Sequence, residues 1–482
     1  MFLSIHERQV IAMEENKDFM QPTPPRRRRK RSKWQDFKEA YLPVLIALVA
    51  VILIIVFISG SVNRAKGPAT ESTPAASVQT TESAEALLQK EVDDLLARAA
   101  VLASQYDYEG ALKVLESYSA GLSTSQELMN QYNEYTQEYQ EMIPVENVRQ
   151  IPNLAFNLLI ADLDRALADE DYGDAFNKNY VTVTEFQAIL QQLYDNGYML
   201  VSPYDIAPKT VDADGNVTLS EGNIRLPDGK KPIVLTQTGC NYHTYMVDSD
   251  GDGLADKGGS GFASKLIIGD DGKLTNEMVD AEGNTVTGSF DIIPILNDFI
   301  ELHPDFSYKG ARATIAVTGY DGLFGYRTDP ETATKISKEY YESELASVTA
   351  IIDKVREDGY DIACYTYDLE NYGLLSSTDI QKDLDLWATE VTPLLGDIDI
   401  LVYPNGGNID SYSGNKYKIL SEFGFKYFTM LDNDVRAWGQ ITTGYALQSR
   451  LWVRGYDLYN TSALYKDLFD SAQVLDAARS FS

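Results

Sequence analysis

ELASVTAIIDKVREDGYDIACYTY, residues 344–367, shows in one piece the unit from which this 482-residue chain is built. In its first half, apolar side chains recur at helical spacing, at Leu345, Val348, Ile352 and Val355. Its second half, DIACYTY, is a short and mostly apolar run, which is typical of a strand buried on both faces. The segment therefore predicts a helix that leads directly into a buried parallel strand.

The same unit recurs on both sides of this segment. Upstream, a long polar insertion interrupts an alternation of strand-like and helix-like runs, which are NLAFNLLIA (153–161), TEFQAILQQLYDNGY (184–198), MLVS (199–202), PIVLTQT (232–238), DIIPILNDFIEL (291–302) and ARATIAVTG (311–319). Downstream come a helix over 378–395, DILVYP (399–404), KYKILSEFGF (416–425) and KYFTML (426–431). Such units predict an α/β fold with a parallel sheet covered by helices. Their number favours a closed (β/α) barrel, and no glycine-rich dinucleotide fingerprint supports an open doubly wound sheet.

Charge is distributed unevenly along the chain. There are 41 basic and 72 acidic residues, which gives a formal net charge of −31. Residues 1–39 are basic, so the remainder of the chain is even more acidic than this total. A surface of this sign repels phosphate backbones, and we therefore expect no nucleic-acid partner for the main body.

The N-terminal region has the pattern of a membrane anchor. A basic tail over 1–39, with RRRRKR at Arg26–Arg31, precedes an apolar stretch over 40–62 that lacks charged residues. This length spans a bilayer, and the basic side is expected to stay in the cytoplasm. We predict a retained signal-anchor rather than a cleaved signal peptide, followed by a flexible Pro/Ala/Ser/Thr-rich linker over 63–83. The protein would be a single-pass type II protein of the cell membrane, with its main domain extracellular.

Residues 84–143 have a helical pattern. The run LLARAAVLASQYDYEGALKVLESY (95–118) resembles a hairpin of the tetratricopeptide type. One hairpin is weaker evidence than an array of repeats, and we favour a plain helical spacer that carries the next domain. That next domain is the predicted barrel, over 144–482.

From about residue 145 onwards the chain resembles the polysaccharide deacetylase (NodB-homology) family, in particular its membrane-anchored branch in Gram-positive bacteria. The resemblance rests on TVTEFQAILQQLYDNGYMLVS, LPDGKKPIVLT, NTVTGSFDIIPILNDFIELHPDFSYKGARATIAVTGYDGLFGYRT, DGYDIACYTYDLENYG and DIDILVYPNGGNI. It implies a distorted (β/α) barrel and metal-assisted hydrolysis of an acetyl group on an envelope sugar. In that reaction a divalent ion activates a water molecule and a carboxylate accepts its proton.

The positions where the resemblance requires catalytic groups hold other residues. The family's Asp-Asp pair aligns with Thr238 and Gly239, and its two histidines align with Tyr365 and Leu369. Arg454 replaces an aspartate near the end, and Asn157 stands where relatives often have histidine. These replacements predict a retained scaffold that holds no catalytic metal.

The two cysteines, Cys240 and Cys364, directly adjoin these replaced positions. In the family those strand ends approach closely enough to share one ion. A disulfide between them is therefore one hypothesis, and two free buried thiols are the alternative.

The segment DSDGDGLADKGG has the spacing of a calcium-binding loop. The carboxylates of Asp248, Asp250, Asp252 and Asp256 recur with Gly253 after the third, as in thrombospondin type 3 and dockerin-like loops. Position twelve is Gly259, so no bidentate glutamate closes the loop as in an EF-hand. We predict a structural calcium ion here, and an acidic flexible insertion is the alternative.

The function that these patterns favour is binding without catalysis. Candidate glycan-binding residues at the barrel mouth are Tyr242, His243, Tyr365, Tyr367, Tyr403 and Asn405. The expected partner is an envelope polysaccharide or an envelope protein. One alternative is an active deacetylase whose metal is held by some of His243, Asp368 and Glu370, and another is a scaffold that acts through the helical hairpin.

Overall fold

The computed structural model describes residues 84–409, 411–432 and 437–481. The predicted basic tail, membrane anchor and linker, residues 1–83, lie outside this part and stay predictions. None of the helices within the described ranges combines the length and the apolarity that crossing a membrane requires.

The described residues form short strands distributed along the whole chain. They are β1 (Ile143–Pro144), β2 (Asn153–Phe156), β3 (Tyr198–Leu200), β4 (Lys209–Val211), β5 (Val217–Leu219), β6 (Arg225–Leu226), β7 (Lys231–Thr238), β8 (Lys265–Ile268), β9 (Leu274–Val279), β10 (Thr285–Gly288), β11 (Thr314–Val317), β12 (Asp361–Cys364), β13 (Ile400–Val402), β14 (Tyr427–Leu431), β15 (Gly439–Ile441) and β16 (Ala446–Trp452).

Helices separate most of these strands. They are α1 (Ala84–Ser104), α2 (Tyr108–Glu116), α3 (Gln126–Glu141), α4 (Leu163–Ala168), α5 (Gly173–Asn179), α6 (Val183–Asp195), α7 (Pro203–Ile206), α8 (Thr244–Val247), α9 (Ile292–Leu302), α10 (Lys338–Glu357), α11 (Ser377–Leu386), α12 (Thr392–Leu395), α13 (Asn415–Phe423), α14 (Gly455–Asn460) and α15 (Ser471–Val474). A π-helical turn, Trp387–Val391, joins α11 to α12.

Seven parallel strands close into a barrel. Their order around the ring is β11, β12, β13, β14, β16, β2 and β7, and the pairing of β7 with β11 completes the circle. Two further strands pair with ring strands: β3 lies parallel to the first residues of β7, and β15 lies antiparallel to β16. The structure thus confirms the closed (β/α) barrel expected from the alternating pattern.

Side chains alternate between the barrel interior and the helix layer, as the pleat of a strand requires. On β11, Ala316 belongs to the interior cluster, whereas Ile315 and Val317 pack with the helices. The interior also holds a polar relay, in which Asn153 accepts from the Thr236 hydroxyl at 2.8 Å and donates to Gln448 at 3.0 Å. The interior therefore combines small and polar side chains with larger ones such as Ile400, Val402 and Tyr427.

The helix layer is held by capping groups as well as by apolar packing. Helix α6 begins with a capping box in which the Thr182 hydroxyl and the Glu185 carboxylate each accept from the other residue's backbone N–H. Glu185 also binds Arg479 at 2.6 Å, and both side chains are fully buried. This ion pair attaches the C-terminal segment to the first turn of helix α6.

Helices α1, α2 and α3 pack against the amino-terminal end of the barrel. Their apolar residues share one buried cluster with Met199, Val201 and Val234. Lys309 reaches Glu109 on α2 at 2.7 Å and provides a charged contact at the same interface. Most of residues 84–141 are thus helical, and these helices cover the barrel end opposite to the carboxyl ends of the strands.

The long polar insertion of the sequence forms a small sheet. Strands β8, β9 and β10 pair antiparallel in the order β10, β9, β8. Gly272 and Gly283 have φ angles of +79° and +89° in the turns that connect these strands, a conformation that glycine adopts without strain. The insertion is therefore an ordered hairpin unit beside the barrel mouth.

Candidate functional site

The carboxyl ends of the seven parallel strands form the barrel mouth, which is where barrels of this kind place their functional side chains. Residues meet there from the ends of β2, β12 and β16, from the end of β7 with its loop, from the loop after β11, and from the turn after α5. We define the barrel mouth by these described residues: Asn157, Tyr180, Thr238, Gly239, His243, Tyr245, Tyr320, Asp321, Tyr365, Tyr367 and Arg450.

At the end of β7 the resemblance requires two carboxylates, and the structure places there the hydroxyl of Thr238 and the bare backbone of Gly239. The Thr238 hydroxyl donates to the side-chain oxygen of Asn157 at 2.8 Å. Gly239 has φ +71°, and a Cβ atom added there would meet only the Nε2 atom of His243, at 3.9 Å. This corner of the barrel mouth is therefore neutral and open at Gly239.

His243 lies beside a buried carboxylate. Its Nδ1 atom is 3.3 Å from Oδ2 of Asp321, although the geometry is not that of a hydrogen bond. Burial would raise the pKa of Asp321, but the imidazole, Arg327 and the backbone N–H of Thr244 together lower it to about 2. Asp321 is thus ionised and holds the imidazole with Nε2 turned toward Gly239.

Tyrosines make up much of the remaining wall. His243 stacks against Tyr245 and Tyr320, with ring centroids 5.9 and 5.6 Å away. The hydroxyl oxygens of Tyr180 and Tyr245 are 3.4 Å apart, and burial raises the pKa of Tyr180 to about 12. The wall therefore presents neutral hydroxyl groups and aromatic faces, which suit the polar edges and apolar faces of sugars.

Strand β16 contributes a guanidinium group. Arg450 is 2% exposed, its Nη2 atom donates to the carbonyl oxygen of Tyr403 at 2.5 Å, and its Cζ atom lies 5.9 Å from the ring of Tyr365. Tyr365 occupies the first position where the resemblance requires a metal-binding histidine. A permanent cation thus lies beside that position.

Two of the candidate glycan-binding tyrosines do not reach the barrel mouth, and the prediction was wrong for them. Tyr242 is fully buried, donates to Asp291 at 2.8 Å and points into the helix layer, because its φ of +50° breaks the strand alternation. Tyr403 is also fully buried and stacks on Phe428 in the helix layer.

The other predicted residues lie at or near the barrel mouth. Tyr365 is 9% exposed, Tyr367 is half-buried with its hydroxyl bonded to Glu390, and Asn405 is exposed with φ +50°. Arg454, which stands where the resemblance has an aspartate, pairs with Asp457 at 2.6 Å.

The structure keeps the two cysteines as free, fully buried thiols, so the hypothetical disulfide is not formed. Strand β11 lies between them: Cys240 N–H donates to Ala316, and Cys364 pairs with Val317. Two strand spacings amount to about 10 Å, whereas a disulfide needs Cα atoms within about 7 Å. Burial raises the pKa of both thiols, which makes them poor nucleophiles.

Three carboxylates of the predicted calcium loop converge. Ligand atoms of Asp248, Asp250 and Asp256 lie within 4.8 Å of one another, and no other such acid, histidine or cysteine trio occurs in the described ranges. Asp252 is not in this group, and its carboxylate accepts from the backbone of Leu254. One hydrogen bond connects the loop to the residues beside the barrel mouth: the Arg327 guanidinium donates to the carbonyl oxygen of Gly253 at 3.3 Å.

A separate cavity of about 630 Å³ lies at the opposite, amino-terminal end of the barrel. Three acidic residues line it, Asp361, Asp397 and Asp399. Asp399 accepts from the Tyr204 hydroxyl and from Lys209, each at 2.6 Å, and Asp361 accepts from the Ser202 hydroxyl at 2.8 Å. Since Asp361 and Asp399 both have hydrogen-bond partners within the protein, we assign no functional site to this cavity.

Sequence reasoning missed Asp321 and Arg450. Asp321 follows the strand ARATIAVTG directly, so the rule that placed attention on strand ends could have found it. Arg450 lies inside β16 at the spacing of inward residues after Gln448, but a lone arginine in a strand gives no signal of burial.

Comparison with solved structures found the Streptococcus pyogenes deacetylase PplD in complex with acetate. The alignment has 14% identity and a TM-score of 0.35, and it covers 69% of this chain and 100% of that one. A likeness this weak carries no argument about the site. A scan of protein-family models and a search of curated proteins gave no match. The polysaccharide deacetylase family of the sequence resemblance therefore stays a prediction, beside an observed closed barrel of seven parallel strands.

Proposed function

We propose that this protein is a membrane-anchored, extracellular deacetylase-like protein that binds envelope glycan at the barrel mouth without hydrolysing it. The observation that carries the proposal is the chemistry of the two strand ends on which the resemblance places the metal. One offers the Thr238 hydroxyl and open space at Gly239, and the other offers Tyr365 beside the Arg450 guanidinium. A fixed cation next to Tyr365 opposes the binding of a divalent cation.

The barrel mouth has the groups that sugar binding uses. Tyr320, Tyr365 and Tyr367 present aromatic rings and hydroxyl groups, and neither Tyr320 nor Tyr367 is fully buried. Aromatic faces pack against the apolar face of a pyranose ring, while hydroxyl groups exchange hydrogen bonds with its edge. The membrane anchor predicted over residues 40–62 would hold this surface near the cell envelope.

Binding measurements on the purified full-length chain in detergent test the proposal. We expect acetylated chito-oligosaccharides or soluble peptidoglycan fragments to bind in titration calorimetry, with no stoichiometric transition metal in the protein. Tyr367→Ala should weaken binding by about tenfold, because one stacking partner is lost. Tyr132→Ala, on α3 at the other end of the molecule, is the matched control and should bind as the wild type does. Equal binding by both variants would contradict the assignment of the site.

An active deacetylase is the second candidate, and the contact between His243 and Asp321 favours it. An ionised Asp321 that orients the imidazole is an arrangement that general bases use. A metal that supplies an activated water would have to be held by some of His243, Asp368 and Glu370, whose ligand atoms do not converge in the described part of the chain as those of the calcium loop do. Stoichiometric metal that is lost in His243→Ala, together with acetate release, would favour this candidate. Neither binding nor turnover would favour the scaffold that acts through α1 and α2.

We also propose that a calcium ion binds Asp248, Asp250 and Asp256. Three carboxylates with ligand atoms within 4.8 Å of one another repel each other unless a cation neutralises them. Oxygen ligands of this kind suit calcium at extracellular concentrations. Its role would be structural, because Arg327 connects the loop to the backbone of Tyr242 and Asp321.

A further inference from the structure

The buried arginines of this protein differ in how their charge is compensated. Arg479 forms an ion pair with Glu185 at 2.6 Å. Arg327 donates to three carbonyl oxygens, those of Gly253, Tyr242 and Asp321. Arg450, at the barrel mouth, forms no ion pair with a carboxylate of the described residues. Its Nη2 atom binds one carbonyl oxygen, and its Nε atom has no partner.

An uncompensated guanidinium in the interior is costly to the fold. Removing an ion from water without a partner is among the largest penalties that a folded chain can carry. Burial accordingly lowers the pKa of Arg450 from its ordinary value, although the neighbouring Tyr365 opposes this shift. A ligand of opposite charge that pairs with the Arg450 guanidinium would remove this penalty and would therefore bind with a favourable free energy.

A second donor without a partner lies on the neighbouring strand. The Thr429 hydroxyl of β14 is buried and makes no hydrogen bond. Thr429 pairs in register with Gln448, which precedes Arg450 by two residues on the same inward face of β16. Two unsatisfied donors from adjacent strands, with no carboxylate paired to either among the described residues, define a region suited to an acceptor that carries negative charge.

We propose that Arg450 is an anion-binding residue at the floor of the barrel mouth, and that the glycan bound there carries a carboxylate or a phosphate group. This inference rests on the proposed glycan-binding function and specifies its ligand. Tyr365 contacts the guanidinium and keeps 9% of its surface exposed, so an anion reaches Arg450 by displacing this ring.

The acidic surface of the chain limits the kind of anion that fits. A net charge of −31 repels long polyanions before they reach the barrel mouth. Recognition of one acidic group at a buried guanidinium is a short-range interaction that salt screens weakly. The ligand class is therefore a saccharide with isolated acidic groups rather than a dense polyanion.

The test compares matched probes with the full-length chain in detergent. Chitotetraose is the neutral probe, a tetrasaccharide of alternating N-acetylglucosamine and glucuronic acid is the carboxylate probe, and N-acetylglucosamine 6-phosphate is the phosphate probe. Acetate and inorganic phosphate alone report on the anion site without sugar. We expect an acidic saccharide to bind about tenfold more tightly than the neutral one, as one charge-assisted hydrogen bond implies.

Two variants separate binding from folding. Arg450→Gln should abolish the preference for acidic saccharides and the stabilisation by acetate or phosphate. Without ligand it should unfold at a temperature no lower than the wild type, because an uncompensated charge has been removed; a purely structural arginine would give a clear loss. Arg356→Gln is the control, since Arg356 binds the carbonyl oxygen of Leu395 at the other barrel end. It should keep the preference.

The outcomes distinguish this inference from the proposed function. Equal binding of neutral and acidic saccharides by the wild type overturns the inference and leaves glycan binding intact. A preference that survives in Arg450→Gln also overturns it. Stabilisation by acetate or phosphate that depends on Arg450, with no saccharide bound, supports the anion site and contradicts the proposed function.

Discussion

The pKa values of two buried aspartates, one at each end of the barrel, are shifted in opposite directions. At the mouth, Asp321 is surrounded by donors and stays ionised, with a pKa lowered to about 2. At the amino-terminal end, burial raises the pKa of Asp361 to about 7, while the Ser202 hydroxyl, which donates at 2.8 Å, partly opposes it. The first carboxylate contributes stability above pH 4 that is lost as the pH falls toward 2, and the second acts in the other direction.

Asp361→Asn should flatten the pH dependence of stability between about pH 4 and 7. In the folded state Asp361 keeps its proton up to a pKa of about 7, whereas in the unfolded chain it loses it near pH 4. The wild type therefore loses stability from this group as the pH rises through that window, on the order of 3 kcal/mol.

Urea denaturation at a series of pH values measures this effect. Asp214→Asn, in an exposed turn, is the control and should keep the wild-type slope. A slope that is as steep in Asp361→Asn as in the wild type would show that the residue is not protonated in the folded state.

At the scale of elements, the insertion loop and the three N-terminal helices are attached to the barrel by different means. Within the loop of residues 248–259, backbone N–H groups donate to the carboxylate of Asp248, and the Arg327 guanidinium attaches the loop to the barrel through the carbonyl oxygen of Gly253. The helices α1 to α3 bury a continuous apolar cluster that includes Leu115 and Leu128. Ionic conditions should therefore affect the loop, while the helices should respond mainly to changes in packing.

Calcium should stabilise the wild type but not Asp250→Asn. At about 10 mM calcium, an affinity typical of extracellular loops corresponds to about 2 kcal/mol. Thermal unfolding with calcium, with magnesium and with a chelator measures the shift. Asp385→Asn, on the exposed face of α11, should respond as the wild type does. The same calcium shift in Asp250→Asn would remove the loop from consideration as the binding site.

Leu128→Ala should destabilise the protein by about 2–5 kcal/mol, because Leu128 on α3 is fully buried and its loss leaves a cavity. Val101→Ala, on α1 and 62% exposed, should change the free energy of unfolding by no more than about 0.5 kcal/mol. Chemical denaturation followed by circular dichroism compares the two. A negligible effect of Leu128→Ala would mean that the helices are not packed on the barrel as described.

At the scale of the whole molecule, the sequence predicts the barrel well because periodicity reflects burial. The segment 344–367 becomes α10 and β12 since one face of the helix and both faces of the strand are covered. The order of strands around the ring is not encoded in such patterns. For this reason the strand that separates Cys240 from Cys364 was not foreseen.

The site was less predictable than the fold, because it depends on backbone directions after the strands end. The positive φ at Gly239 and Tyr242 turns the chain so that His243, rather than Tyr242, faces the barrel mouth. The replaced positions Thr238 and Tyr365 were found from the resemblance alone. What occupies their surroundings, above all the Arg450 guanidinium, follows only from three-dimensional packing.

The most direct test of binding without hydrolysis measures, in one equilibrium experiment, both how much ligand is bound and whether it keeps its acetyl groups. The full-length chain is dialysed against an acetylated oligosaccharide, and mass spectrometry counts the acetyl groups in the bound and free fractions. We predict enrichment of the oligosaccharide with the protein and complete retention of its acetyl groups. Loss of acetyl groups that depends on the protein, or no enrichment at all, would contradict the account.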